Sequence, residues 1–209
     1  MAGNDVTRIA DELLNALRDY LERVNSAIVR DFLGDLEWAM PERRLAANGL
    51  ACLAHLQRAA ELAGPAEAAL ARRLQRHAAQ PSWGQTYTSA DLGQHFMDNY
   101  GWVELFGTRG HFANDRMAAG FLLLGPHVVY PDHHHVAEEV YIPPTGGTEW
   151  RMGDGPFMER KGGEVIHHAS NVNHAMRTGN EPLLALYLWR GGPLAARSTV
   201  TGSAVERRA

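Results

Sequence analysis

The chain has one cysteine, Cys52, so an intramolecular disulfide is excluded. Its neighbours Leu50, Leu53 and Leu56 suggest a buried helical position, where thiol chemistry is not expected. Long apolar runs are missing too. No stretch approaches the roughly 20 apolar residues that a membrane-spanning helix needs. The opening residues Met1-Ala2-Gly3-Asn4-Asp5 lack the basic-then-apolar pattern of a leader. These absences predict a soluble, cytoplasmic protein. Basic tracts are also absent. With 20 Lys and Arg against 24 Asp and Glu, the formal net charge is −4, which argues against nucleic acid as a partner. No internal repeat or low-complexity segment stands out. What is present is an apolar fraction of 45% in 209 residues, enough for a sizeable core.

The first half of the pattern is helical. Val6, Ile9, Leu13, Leu14, Leu17, Leu21, Val24 and Ile28 recur at helical spacing, which predicts a helix from about Val6 to Leu33 with Asp5 as its cap. Pro41 suits the first turn of a second helix, with a stripe from Leu45 to Leu62 ended by Gly64-Pro65. Pro65 in turn opens a third, through Leu70 and Leu74 toward His77. Such stripes either cover the outside of a sheet or form the face of a homodimer, and part of this one is expected to cover a sheet. Residues 1–82 are thus predicted to be a helical segment.

After Trp83 the pattern changes to short apolar or alternating runs separated by Gly, Pro and Asn. Strands are predicted at Trp102–Phe106, Met117–Leu124, Val128–Tyr130, Glu139–Ile142, Glu149–Met152, Phe157–Lys161, Val165–His168, His174–Arg177 and Leu183–Trp189. Turns fall at Gly146-Gly147, Gly153-Asp154-Gly155, Gly162-Gly163 and Gly179-Asn180. This spacing predicts a mainly β jelly-roll barrel over residues 83–193, followed by a loose tail over 194–209. In the last strand Leu184, Leu186 and Leu188 share a packing face, and Tyr187 and Trp189 share the other. The aromatic face either lines a cavity or belongs to the barrel core.

The chemistry concentrates between Tyr130 and Tyr141. His133, His135, Glu139 and Tyr141 share one parity, so an extended backbone can aim all four the same way. Two imidazoles and a carboxylate can hold a divalent cation. A histidine run can also be an adventitious metal-sticky tract. The spacing argues for a site, because a second cluster, Gly163 to His174, follows an intervening hairpin-like segment.

The two stretches resemble the paired motifs of the cupin superfamily. The first motif, Gly-x5-His-x-His-x3/4-Glu-x6-Gly, is matched by His133, His135, Glu139 and Gly146, with His127 where it opens on glycine. The second, Gly-x5-Pro-x-Gly-x2-His-x3-Asn, is matched by Gly163 and His174. Ala169, Asn171 and Thr178 stand in for its proline, glycine and asparagine. Adding Tyr130 and Trp189, the ensemble resembles the bacterial cupin lyases that cleave dimethylsulfoniopropionate into dimethyl sulfide and acrylate. Those enzymes carry Tyr-x-x-His-x-His-x-x-x-Glu-x-Tyr, a distal histidine and a tryptophan fifteen residues beyond it. Helices before the barrel also fit that family.

The resemblance implies a cupin barrel preceded by helices. It implies one divalent transition metal, bound by His133, His135, Glu139 and His174. These ligands accept Fe, Mn, Co, Ni or Zn. Tyr141 is then the general base, its phenolate favoured beside the cation. The substrate is a small zwitterionic carboxylate whose sulfonium offers no N–H donor. Aromatic faces can hold it, which assigns Trp189 and Tyr130, and secondarily Tyr187, to substrate binding. Asn173 and Arg177 read either as residues that support the site from behind or as turn and surface residues, with the second reading preferred. Two other classes use similar parts. An Fe(II) dioxygenase needs open coordination positions and no tyrosine base, and oxygen uptake would reveal it. A non-catalytic effector-binding cupin is the third reading, although no helix-turn-helix stands out.

Overall fold

The computed structural model describes residues 2–34 and 36–202, with side chains from residue 8 onward. The expected cap Asp5 and the first stripe residue Val6 lie outside the described side chains, and tail residues 203–209 lie outside the described chain. Among the described residues six helices come first: α1 (Ala2–Leu21), α2 (Ala27–Leu33), α3 (Leu56–Leu62), α4 (Ala68–Arg76), α5 (Ser89–Leu92) and α6 (Gln94–Asp98), with a 3-10 turn at Ala51–His55. Eleven strands of the described residues follow: β1 (Tyr100–Gly107), β2 (Phe112–Ala113), β3 (Met117–Leu124), β4 (Val129–His134), β5 (Glu138–Ile142), β6 (Thr148–Met152), β7 (Met158–Arg160), β8 (Ile166–His168), β9 (His174–Arg177), β10 (Leu183–Arg190) and β11 (Thr199–Val200). No described helix is long and apolar enough to cross a membrane.

The strands form two sheets. One has the order β2-β1-β3-β10-β5-β8, the other β11-β4-β9-β6-β7. Hydrogen bonding does not run continuously from one sheet to the other, so the expected barrel is a pair of facing sheets. Period 2 sorts the six-stranded sheet into two faces. Val103, Leu105, Phe121, Leu123, Leu184, Leu186 and Leu188 point outward into one core with Leu13 and Leu17 of α1 and Leu70 and Leu74 of α4. The helices thus cover the sheet, and each leucine so buried contributes about 1.5–3 kcal/mol. Cys52 is buried in the same core, and burial pushes its thiol up to about 12. The inner face carries Tyr100, Leu122, Tyr141, Ala185 and Tyr187, which meet Tyr130, Trp150 and Met176 of the other sheet.

Four local expectations differ. The helix predicted through Leu33 is interrupted over residues 22–26, because Ser26 caps a new helix by accepting from Val29 N at 3.4 Å. Pro41 opens no helix. Its carbonyl accepts from Ala113 N at 2.7 Å, and Arg43 N donates to His111 O at 2.7 Å, so this segment extends along β2. The short helices α5 and α6 were not expected, although Thr88 and Asp91 form a capping box that marks the first. The tail is not loose from residue 194. Leu194 is buried, and β11 pairs Thr199 with His134 and Val200 with His133. The edge of β4 offers unpaired backbone groups, and the tail satisfies them.

Candidate active site

Strand pairing builds the site in rows. On one side of β5, Trp189 of β10 pairs with Glu139; on the other side, His168 of β8 pairs with it. Directly paired residues share a face, so Trp189, Glu139 and His168 stand side by side on the inner face. The Trp189 indole N–H donates to Glu139 Oε1 at 2.5 Å. His168 Nδ1 lies 3.8 Å from Glu139 Oε2. The next row along β5 places Tyr187 beside Tyr141.

The opposite sheet supplies the histidines. His133 of β4 pairs with His174 of β9, and His135 follows just beyond the end of β4. Their rings are held in the same way. His133 Nδ1 donates to Pro131 O at 2.8 Å, His135 Nδ1 to Ala137 O at 2.8 Å, and His174 Nδ1 to Val172 O at 2.9 Å. A carbonyl can only accept, so each Nδ1 carries a proton, which leaves each Nε2 as the nitrogen available to a metal. His135 Nε2 lies 3.0 Å and His174 Nε2 lies 3.3 Å from Glu139 Oε2. The ligand atoms of His135, Glu139 and His174 lie within 4.8 Å of one another, and all three residues are buried. His133 is adjacent but outside that triad. Its ring is 4.2 Å from that of His174 and 6.4 Å from that of His135.

The electrostatics fit a cation here. Burial opposes ionisation of Glu139, yet the charge and hydrogen bond of His135 hold its carboxyl well below the usual range. The same pairing raises His135 against the effect of its burial. Burial and the neighbouring His174 hold His133 well below its ordinary value, and burial takes His168 down to about 4. His174 Nε2 is buried and makes no hydrogen bond among the described residues. A buried acceptor without a donor is costly. A divalent ion shared by two imidazoles and a carboxylate would satisfy it, and this donor set suits a transition metal.

Beside this cluster a small cavity of about 50 Å³ opens between the sheets, walled by Tyr100, Trp102, Tyr130, Tyr141, Tyr187 and Trp189 and floored in part by Glu139. Burial first, then the Glu139 carboxylate, push the Tyr141 hydroxyl well above its ordinary value. Tyr130 stacks on His133 with ring centroids 4.1 Å apart, and its hydroxyl lies 3.0 Å from that of Tyr87.

The family model for dimethylsulfoniopropionate (DMSP) lyase matches residues 10–185. The chain belongs to the DMSP lyase family. The lyase DddQ of Ruegeria pomeroyi is 38% identical over 109 residues, covering 52% of this chain and 54% of its own. The putative lyase DddL of Cereibacter sphaeroides is 31% identical over 141 residues, covering 66% of this chain and 58% of its own. The chain therefore spans little more than half the length of the curated relatives it matches. A solved chain from the crystal structures of DMSP lyases RdDddP and RnDddQII superposes with a TM-score of 0.86 at 28% identity, covering 94% of this chain and 99% of that one. The crystal structure of DddQ from Ruegeria pomeroyi gives 0.84 at 28% identity, covering 93% and 96%.

Several motif positions acquire a physical reading within this family fold. His127 and Asn171 stand where the cupin motifs carry glycine, and both adopt the left-handed backbone at φ 56° and 60°. The turns keep their shape, since His and Asn tolerate this region better than most residues. Thr178 replaces the motif asparagine and ties two segments, accepting from Val128 N at 2.9 Å and donating to Gly125 O at 2.7 Å. Arg177 forms a surface pair with Glu149, and Asn173 Oδ1 lies 3.1 Å from His134 Nδ1. His168 is the inner-face residue that sequence reasoning did not single out. Its parity with Ile166 was visible, but its partner strand was not.

Proposed function

We propose that this chain is a metal-dependent lyase that eliminates dimethyl sulfide from dimethylsulfoniopropionate and leaves acrylate. The observation that carries this reading is the adjacency of Glu139 and Tyr141 on the inner face of β5, where both line the aromatic cavity. His135, Glu139 and His174 would hold the cation, with His133 beside them as the fourth candidate. A divalent Fe, Mn, Co, Ni or Zn ion there would supply Lewis acidity toward the substrate carboxylate and positive charge to offset Glu139 beside Tyr141.

The remaining steps belong to the chain. Starting as the phenolate, Tyr141 Oη takes the proton from the carbon next to the carboxylate and becomes the neutral phenol. That C–H electron pair becomes the new C=C bond. The C–S bond breaks toward sulfur, so the sulfonium leaves as neutral dimethyl sulfide. The sulfonium has no N–H, and hydrogen bonds cannot hold it. The faces of Tyr130, Tyr187 and Trp189 can, at about 0.5–2 kcal/mol each. The aromatic walls also limit water around the departing group.

Headspace detection of dimethyl sulfide from purified, metal-loaded protein tests the reading directly. Release of dimethyl sulfide with equimolar acrylate is expected. A fully metallated protein that releases none would overturn it.

A further inference from the structure

We propose that Arg109 is the residue that recognises the substrate's carboxylate, acting from the cavity wall. The identity of that anion rests on the lyase reading above; the position of the guanidinium does not. Arg109 is the single lysine or arginine among the described residues that line the cavity. It sits on the short loop joining β1 to β2, and the fold holds that loop in a specific way. The register of β1 against β3 shifts between Glu104 and Phe106. Gly120 of β3 pairs with Glu104 on one side and Tyr187 on the other. A Cβ at Gly120 would overlap Val103 O, so these backbones approach more closely than any side chain permits. The row Glu104, Gly120, Tyr187, Tyr141 therefore runs across the inner face, with no side chain at its second place.

Glu104 is buried and anchors the loop. Its Oε1 accepts from Arg109 N at 2.6 Å. Its Oε2 lies 3.7 Å from the Arg109 guanidinium, too far for a hydrogen bond but close enough to orient it. The Trp102 ring lies under the guanidinium, 4.6 Å from Cζ to the centroid. One Nη donates to Leu194 O at 3.4 Å. A guanidinium has five N–H donors. Arg109 Nε is buried and meets no acceptor among the described residues. A planar cation held by a stack and an anchor in the lining of a cavity is suited to one planar anion. A carboxylate also has two oxygens, so pairing with Arg109 leaves acceptor capacity for the Glu139 end of the cavity. The cationic sulfonium is repelled from Arg109 and directed to the aromatic walls, which fixes the substrate's orientation.

The test compares binding of acrylate with that of neutral acrylamide, by calorimetric titration of metal-loaded wild type, Arg109→Met and Arg109→Lys. Removing a charged hydrogen-bonding partner should weaken acrylate binding by about tenfold to a hundredfold. Acrylamide binding should hardly change, and Arg109→Lys should recover part of the acrylate preference. Loss of a merely structural contact to Leu194 would weaken both ligands alike, so an unchanged acrylate-to-acrylamide ratio in both variants overturns the proposal. Wild type that binds no acrylate overturns it as well. If Arg109→Met does not fold, the ratio in Arg109→Lys decides. Should wild type release no dimethyl sulfide while the ratio still depends on Arg109, the carboxylate site stands and the lyase reading falls. If dimethyl sulfide is released and the ratio is unchanged, the lyase reading stands and the carboxylate site falls.

Discussion

The indole N–H of Trp189 donates to Glu139 Oε1 at 2.5 Å, while Glu139 Oε2 faces His135 and His174. One oxygen is thus held by the wall of the cavity and the other is turned toward the histidines. This makes Trp189 an orienting partner of the candidate ligand as well as an aromatic surface. Trp189→Phe keeps a ring and removes the N–H. Loss of an outer hydrogen bond to a ligand typically costs about 10–100-fold in metal affinity. Competitive metal titration should show a loss of that size in Trp189→Phe. Unchanged affinity would leave Trp189 with packing and substrate contact only.

The triad and its neighbour predict unequal ligand effects. His135→Ala and His174→Ala each remove an Nε2 facing Glu139 Oε2. His133→Ala removes a ring that lies outside the triad. Elemental analysis after dialysis should show sharp metal loss for the first two and a smaller loss for the third. Equal loss in all three would mean that His133 closes onto the metal when it binds.

Tyr141→Phe separates base from ligand. Tyr141 lines the cavity but is not among the triad. The change keeps the ring, so metal content should stay near wild type. Turnover should fall by about 10²–10⁴-fold, the usual contribution of a general base. Wild-type activity is expected to rise with pH as the tyrosine ionises, and that rise should vanish in the residual activity of Tyr141→Phe. Full turnover in the variant at matched metal content would refute the role.

Glu104 predicts a stability effect away from the metal. Burial raises its carboxyl above the ordinary value, against the lowering effects of the Arg109 amide and guanidinium. The folded state therefore binds this proton more tightly than the unfolded state. The resulting stabilisation is present below the unfolded value of about 4.5 and is lost as pH rises through the folded value. Glu104→Gln lacks this slope. Urea unfolding of both proteins at several pH values should show their difference shifting in favour of the variant as pH rises. A constant difference would show that Glu104 ionises as it would in water.

Much of the site was legible because its signals are local. Alternation alone puts Glu139 and Tyr141 on one face of β5, whereas the single extended strand expected to carry His133 and His135 with them is broken at residues 135–137, so the histidines come from the facing sheet. Most strand segments were legible for the same reason, and β3 and β9 fall on their predicted bounds. Local pattern misled where two conformations share it. The stripe through Ile28 suits one helix or two, and the Ser26 cap chose two. Pro41 suits a helix start or an extended edge, and pairing with β2 chose the edge.

What the amino-acid sequence determined by itself was the alternation, the turns, the ligand types and the family. Only the tertiary structure decided which strands stand next to one another. The order β10-β5-β8 sets Trp189 and His168 on either side of Glu139, although the three are far apart in the chain. The bulged register of β1 and the missing side chain of Gly120 bring the Arg109 loop to the cavity. These relationships depend on register across hydrogen-bonded neighbours, and a shift of one residue would turn each of these side chains to the opposite face. Register is a property of paired strands, so no single segment carries it.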